Sequence, residues 1–250
     1  MNVIEYGKEN SKIVILIHGG GLSWWNYQEV AEVLAKKYHV ILPIIDGHAG
    51  SDDDFISIEH FANTLIQYIE IELKQKVYLL AGVSLGAQIV VEMLATKPNI
   101  CEHAIVESAL LRPSKWMAML IKPMLDVSYS FIKQLWFAKL QHKYLRIKDD
   151  LFDVYYRDTC LITKTNMIAF MKANMLYDVK TEIINTRANV YIVVGGKEPR
   201  MMRKSAQLLH DKLRDSVCII KSKLYHGEFS LNCANEYCKL IDNFQEEGLL

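Results

Sequence analysis

The sequence has no excess of charge of either sign. Lysine plus arginine and aspartate plus glutamate each number 29, which gives a formal net charge of zero at pH 7. Proteins that bind nucleic acids or polyanionic substrates usually carry a clustered basic excess. The charge balance gives no indication of such a surface, and we expect no nucleic-acid partner.

Long apolar runs are missing as well. The stretch Val77 to Val91 carries no charged residue, but it is interrupted by glycine and serine and is too short for a transmembrane helix. The first ten residues, MNVIEYGKEN, lack the basic segment and apolar core of a secretion signal. We therefore expect a cytoplasmic protein without stable membrane insertion.

Cysteine is sparse and scattered. The five cysteines are Cys101, Cys160, Cys218, Cys233 and Cys238. An odd number of widely separated cysteines fits neither a disulfide framework nor the spacing of metal ligands. We expect reduced thiols and no metal site.

The most informative stretch that is present runs from Val77 to Met93, with the sequence VYLLAGVSLGAQIVVEM. Its first half is rich in β-branched and aromatic residues, and its second half in helix formers, which predicts a strand, a tight turn and a helix. The turn carries Gly82-Val83-Ser84-Leu85-Gly86, a G-x-S-x-G pattern. In such a turn the serine is exposed in a strained conformation beside free backbone N–H groups. We interpret Ser84 as a nucleophile, against the alternative of an ordinary glycine-rich turn.

The rest of the chain alternates between strands and helices, which predicts one α/β domain with a mostly parallel sheet covered by helices on both faces. The predicted strands are Val3–Tyr6, Lys12–His18, His39–Ile44, Val77–Val83, Ala104–Glu107, Asn189–Gly195 and Ser216–Lys221. Reactive groups gather at the carboxyl edge of such a sheet. Gly20, Ser84 and Glu107 all follow or end strands at that edge.

The alternation is interrupted between residues 110 and 179, where helical patterns follow one another without strands. We expect a core of residues 1–109 and 180–250 and a helical cap of residues 110–179 whose underside forms an apolar pocket. Trp116 and Trp136 are the predicted substrate-binding residues of this cap. Two alternatives remain: an interfacial helix that touches a membrane through apolar and basic residues, and a packing element without a role in binding.

A serine hydroxyl needs a base, and the base needs a carboxylate that orients it. His226 follows the last strand, as the order serine, acid, histidine requires, and the other seven histidines are weaker candidates. Glu198 follows the preceding strand by three residues and is favoured as the acid over Glu107, Asp178 and Asp211. We predict that Ser84, Glu198 and His226 meet at one edge of the sheet.

These motifs together resemble the α/β-hydrolase superfamily, in the capped form of many small bacterial-type esterases, over nearly the whole chain. The matching pieces are HGGG at 18–21, GVSLG at 82–86, GGKEP at 195–199 and YHGE at 225–228. The chain departs from the family pattern in three places: Glu198 stands where aspartate is more usual, the loop IIDGHAGSD matches D-x-P-G-H-G-x-S only in part, and only one strand fits before Ile13.

The resemblance implies roles for these residues and a reaction. Ser84 would be the nucleophile, His226 the general base and then acid, and Glu198 the orienting carboxylate. The oxyanion hole would use the N–H groups of Leu85 and Gly20, with Gly21 as the neighbouring candidate near the substrate.

The expected reaction is hydrolysis of a small or medium, apolar acyl ester through an acyl-serine, with a small-molecule substrate and no cofactor. The alternatives are a thioesterase or C–C bond hydrolase with the same triad, a non-catalytic ligand-binding protein, and a lipid hydrolase attached to a membrane through the cap.

Overall fold

The computed structural model describes residues 1–247, and within them the backbone forms seven strands in one sheet. The strands are β1 (Val3–Tyr6), β2 (Ile13–Ile17), β3 (His39–Pro43), β4 (Val77–Val83), β5 (Cys101–Glu107), β6 (Asn189–Gly195) and β7 (Val217–Lys221). Their order in the sheet is β1-β3-β2-β4-β5-β6-β7. Strand β1 is antiparallel to β3, and every other neighbouring pair is parallel. The predicted α/β architecture is confirmed.

Ten α-helices connect or flank these strands in the described part of the chain. They are α1 (Gln28–Leu34), α2 (Ile58–Tyr68), α3 (Leu85–Thr96), α4 (Lys115–Ile132), α5 (Leu135–Tyr144), α6 (Phe152–Leu161), α7 (Lys164–Leu176), α8 (Arg200–Lys212), α9 (Glu228–Asn232) and α10 (Ala234–Glu247). No helix among residues 1–247 has both the length and the apolar character needed to cross a bilayer.

Two apolar layers cover the sheet because successive side chains of a strand point to opposite faces. In β2, Ile13, Ile15 and Ile17 face the layer built with α2, α3 and α8. Val14 and Leu16 face the layer built with α1 and α10. All five side chains are buried, as expected for a parallel strand that is covered on both sides.

Some boundaries differ from the predicted ones. Helix α1 is preceded by a tighter helical turn, Trp24–Tyr27. Strand β5 begins at Cys101, earlier than predicted, because its first residues still pair with β4. Helix α2 continues after Tyr68 into a wider helical turn, Ile69–Leu73.

Helices α4 to α7 lie in sequence between β5 and β6 and are called the α4–α7 segment below. The side chain of Asn166 ties α7 to the loop after β3: its Nδ2 donates to Asp54 Oδ1 (2.9 Å), and its Oδ1 accepts from the Phe55 N–H (3.1 Å). An added Cβ on Gly20 would lie 3.4 Å from the Phe170 ring. Helix α7 therefore packs directly over the glycine loop that follows β2.

Candidate active site

Ser84 lies at a sharp turn between β4 and α3. Its backbone has φ 55° and ψ −114°, a strained conformation for a residue with a side chain. A Cβ on Gly82 would come within 2.4 Å of the Gly86 carbonyl, and one on Gly86 within 2.2 Å of the Ile17 carbonyl oxygen. Glycine is required at both positions because backbone, rather than flexible side chains, fills the space around them.

The structure brings Ser84, His226 and Glu198 into one chain of hydrogen bonds. Ser84 Oγ lies 3.0 Å from His226 Nε2, and His226 Nδ1 lies 2.8 Å from Glu198 Oε2. The carboxylate can only accept, so His226 carries its proton on Nδ1 and its Nε2 accepts from the Ser84 hydroxyl. This is the arrangement that a serine nucleophile and its base require.

Glu198 is buried and accepts three hydrogen bonds. Its partners are His226 Nδ1, the Ser108 hydroxyl at 2.7 Å and the Gly195 N–H at 2.6 Å. Burial raises the pKa of this carboxyl, but the hydrogen bond and charge of His226, with those from Ser108 and Gly195, outweigh it and leave the pKa below its ordinary value. Glu198 is thus ionised at neutral pH and faces the imidazole.

Ser108 is part of the site, although no motif in the sequence predicts it. It follows β5 in a left-handed conformation with φ 53°. Its hydroxyl donates to Glu198 Oε1 and accepts a long hydrogen bond from the Gly227 N–H at 3.4 Å. Its position at the carboxyl end of β5 was the only available signal, because no local motif marks it.

Glu107, the alternative acid, has different partners. Its carboxylate accepts from the N–H groups of Phe229 (3.1 Å) and Ser230 (3.2 Å) at the start of α9. Burial raises its pKa to about 7, against the opposing effect of the hydrogen bonds from Ser230. Glu107 thus anchors the helix that follows His226, whereas Glu198 contacts the imidazole.

The predicted oxyanion donors differ in availability. Within the described residues, neither the Gly20 N–H nor the Leu85 N–H has a hydrogen-bond partner. The Gly21 N–H instead donates to His48 Nε2 at 3.0 Å. Gly20 and Leu85 can therefore donate to an oxyanion, whereas the Gly21 N–H already has a partner and its role near the substrate remains a prediction.

Two buried histidines hold the loops on this side of Ser84. His18 Nδ1 donates to the Gly19 carbonyl and its Nε2 accepts from the Ile45 N–H. His48 Nδ1 donates to the Asp46 carbonyl while its Nε2 accepts from Gly21. Burial lowers the pKa of His18 to about 3 and that of His48 to about 4, so both rings are neutral. Neutral rings can accept the loop N–H groups, and they fix the glycine loop beside the serine.

A cavity of about 540 Å³ opens beside His226. It lies between the end of α5 and the loops after β6 and β7, and its lining residues are Lys143, Tyr144, Leu145, Arg146, Lys197, Glu198, Pro199, Met202, Tyr225 and His226. The Arg146 guanidinium lies over the Tyr225 ring, 3.7 Å from its centre. The His226 side chain is 43% exposed and lines this cavity together with Glu198, whereas Ser84 is not among the lining residues.

The two tryptophans predicted to bind substrate do not line this cavity. Trp116 is 66% exposed at the start of α4, and Trp136 is 60% exposed near the start of α5. The interpretation of both as pocket residues assumed that the apolar face they belong to points inward. In the structure that face points to solvent.

Comparison with known proteins agrees with this fold. A model of the family described as serine aminopeptidase, S33, matches residues 8–243. No match is found among curated proteins.

Solved structures with a similar fold come from several bacteria. A putative α/β-hydrolase family protein from Desulfitobacterium hafniense has 23% sequence identity and a TM-score of 0.77, over 98% of this chain and 100% of that one. An enol-lactonase from Burkholderia xenovorans LB400 has 12% identity and a TM-score of 0.81, over 98% and 96%. A thermophilic esterase from Thermogutta terrifontis has 14% identity and a TM-score of 0.76, over 98% and 93%.

Proposed function

This chain belongs to the serine aminopeptidase S33 family of the α/β-hydrolase superfamily, and from that premise we propose that it hydrolyses a carboxylic ester through an acyl-serine intermediate. The observation that carries the proposal is the hydrogen-bonded chain from Ser84 through His226 to Glu198. A fold can be shared without its chemistry, so the proposal depends on this site.

In the proposed reaction Ser84 Oγ attacks the ester carbonyl while His226 Nε2 takes its proton. The N–H groups of Gly20 and Leu85 stabilise the tetrahedral oxyanion, and one such donor typically contributes about 3 kcal/mol. His226 then gives the proton to the departing alcohol. A water molecule, deprotonated by the same nitrogen, attacks the acyl-Ser84 ester and releases the acid.

The charges around the cavity favour an ester over a peptide with a free amino terminus. Recognition of an ammonium group needs an unpaired carboxylate. Within the described chain, Glu198 is the only acidic residue that lines the cavity. Its carboxylate is already hydrogen-bonded to His226. Lys143, Arg146 and Lys197 would repel a cationic substrate. The similar structure from Thermogutta terrifontis is described as an esterase and that from Burkholderia xenovorans LB400 as an enol-lactonase, and both names denote cleavage of an ester bond.

The test is to treat the full chain with a fluorophosphonate probe, locate the adduct by mass spectrometry, and assay p-nitrophenyl esters of increasing chain length. We expect an adduct on Ser84 and ester turnover, with both abolished in Ser84→Ala and His226→Ala. Ser130→Ala, an exposed serine of α4, is the matched control and should behave like the unsubstituted protein. A folded protein that forms no adduct and hydrolyses no ester would instead support the ligand-binding alternative.

A further inference from the structure

Exposed apolar side chains are concentrated on two helices of the α4–α7 segment. Among residues 1–247, 20 large hydrophobic side chains are exposed, and 11 of them fall between Trp116 and Leu145. Single exposed apolar residues are normal on a protein surface, but a contiguous group marks an interaction site. The concentration in one eighth of the chain therefore requires a specific explanation.

Helix α4 is apolar on two opposite sides. Ala118, Ile121 and Leu125 are buried and point toward the protein. The exposed apolar residues recur at helical spacing on the other side, at Trp116, Met119, Leu120, Met124, Val127 and Phe131. The outer face of a surface helix is normally polar. Packing against the rest of the protein thus accounts for one face of α4 and leaves the other without a partner in the described chain.

The exposed face continues from α4 onto α5 and reaches the cavity at His226. The rings of Phe131 and Trp136 lie 6.1 Å apart and connect the two helices. On α5, Trp136, Leu140 and Tyr144 are exposed at intervals of four residues. Tyr144 also lines the cavity beside His226. We call the exposed apolar residues of both helices the α4–α5 face.

Exposed basic residues occur along the same two helices and the turn between them. Between residues 115 and 145 the chain carries five lysines and one acid, although its total net charge is zero. The lysines are Lys115, Lys122, Lys133, Lys139 and Lys143. The single acid, Asp126, forms ion pairs with Lys122 and Lys164. The α4–α5 face therefore combines exposed apolar side chains with a net positive charge on the same stretch of chain, and it is complementary to a surface that is apolar and negatively charged.

We propose that the α4–α5 face docks on an anionic phospholipid bilayer. The apolar side chains enter the interface, the lysines lie among the head groups, and Trp116 and Trp136 take the amphipathic position that tryptophan prefers there. A second copy of the chain fits less well, because a two-fold contact through this face would place lysines against lysines. If the proposed ester hydrolysis holds, docking brings the cavity at His226 to acyl lipids.

The experiment is vesicle co-sedimentation of the full chain, with phosphatidylcholine vesicles compared with vesicles that also contain phosphatidylglycerol. We expect binding to the anionic vesicles, loss of binding at high salt, and a blue shift of tryptophan fluorescence on binding. Val127→Glu and Trp136→Glu should remove most of the binding, and Lys139→Ala should weaken it about fivefold. Ile71→Glu, at a 60% exposed position outside the face, is the matched control and should bind normally.

Two results would overturn docking. The first is an absence of binding to anionic vesicles, or binding that Val127→Glu does not reduce. The second is a dimer in sedimentation velocity that Val127→Glu dissociates, which would assign the face to a second copy. The Ser84→Ala variant separates this proposal from the proposed function, since it should bind vesicles fully without hydrolysis. Vesicle binding without a fluorophosphonate adduct would contradict only the hydrolase proposal. An adduct without vesicle binding would contradict only the docking proposal.

Discussion

Two buried carboxylates lie close to the histidine of the site, and their partners assign them different tasks. Glu198 accepts the imidazole Nδ1–H directly. Glu107 accepts backbone N–H groups at the start of α9, the helix that follows His226. One carboxylate therefore selects the tautomer of the base, and the other holds the segment that carries it.

This difference predicts that the two glutamates respond differently to amide substitution. Glu198→Gln should lower kcat by about 10³- to 10⁴-fold with little change in KM, because an amide no longer favours the required tautomer. Glu198→Asp should retain part of the activity. Glu107→Gln should leave kcat near that of the unsubstituted protein. Steady-state kinetics on variants whose folding is checked by circular dichroism test this, and a comparable loss in Glu107→Gln would contradict the assignment.

At the scale of residues, the sequence predicted the site residues that lie in recognisable motifs. It did not predict the residues that reach the site only through contacts between distant parts of the chain. Ser84, Glu198 and His226 were identified from motifs and chain order, and the structure places them within hydrogen-bonding distance. Their catalytic roles remain predictions until the probe experiment is done. Ser108 and the acceptor role of His48 depend on contacts across 90 and 27 residues of sequence, which no local pattern encodes.

At the scale of elements, the turn between β4 and α3 depends on close backbone packing. Gly86→Ala would place a methyl group 2.2 Å from the Ile17 carbonyl oxygen, and only movement of β2 or α3 could relieve the overlap. We expect a loss of about 3 kcal/mol or more in the free energy of unfolding, measured by urea denaturation.

Gly19→Ala is the matched control for this substitution. Its added Cβ would meet no atom closer than 3.6 Å, although Gly19 lies beside the same serine. It should therefore leave the free energy of unfolding nearly unchanged. Equal destabilisation by both substitutions would show that helix α3 can shift to accommodate a side chain, contrary to the packing argument.

Helix and strand patterns predicted where the elements lie better than which way they face. Apolar runs located all seven strands, and the five central strands, β2 to β6, are largely buried in a continuous sheet. The same reasoning could not orient α4, since apolar residues recur at helical spacing on both of its sides. Trp116 and Trp136 were predicted to bind substrate; both are exposed and neither lines the cavity beside His226, and their role in binding remains a prediction. The division into a core and a cap remains a prediction.

At the scale of the whole molecule, buried titratable groups make stability depend on pH in two opposing ways. His18 and His48 have pKa values of about 3 and 4, against 6.5 for an unburied histidine. The unfolded chain therefore binds protons more readily than the folded one. The contribution of these two histidines to the free energy of unfolding is lost as pH falls below 6.5. The pKa of Glu107 is raised from 4.5 to about 7. Its contribution to the free energy of unfolding is therefore present at low pH and lost as pH rises through that interval.

The contribution of Glu107 can be isolated by comparing the unsubstituted protein with Glu107→Gln across pH. The glutamine cannot ionise, so the stability of the variant relative to the unsubstituted protein should rise by about 3 kcal/mol between pH 4.5 and 7 and stay constant above it. Urea unfolding at a series of pH values measures this difference. Glu102→Gln, which removes an exposed carboxyl from the same strand, is the matched control. If the difference for Glu107→Gln does not change with pH, then the backbone N–H groups of Phe229 and Ser230 keep the carboxylate ionised despite its burial.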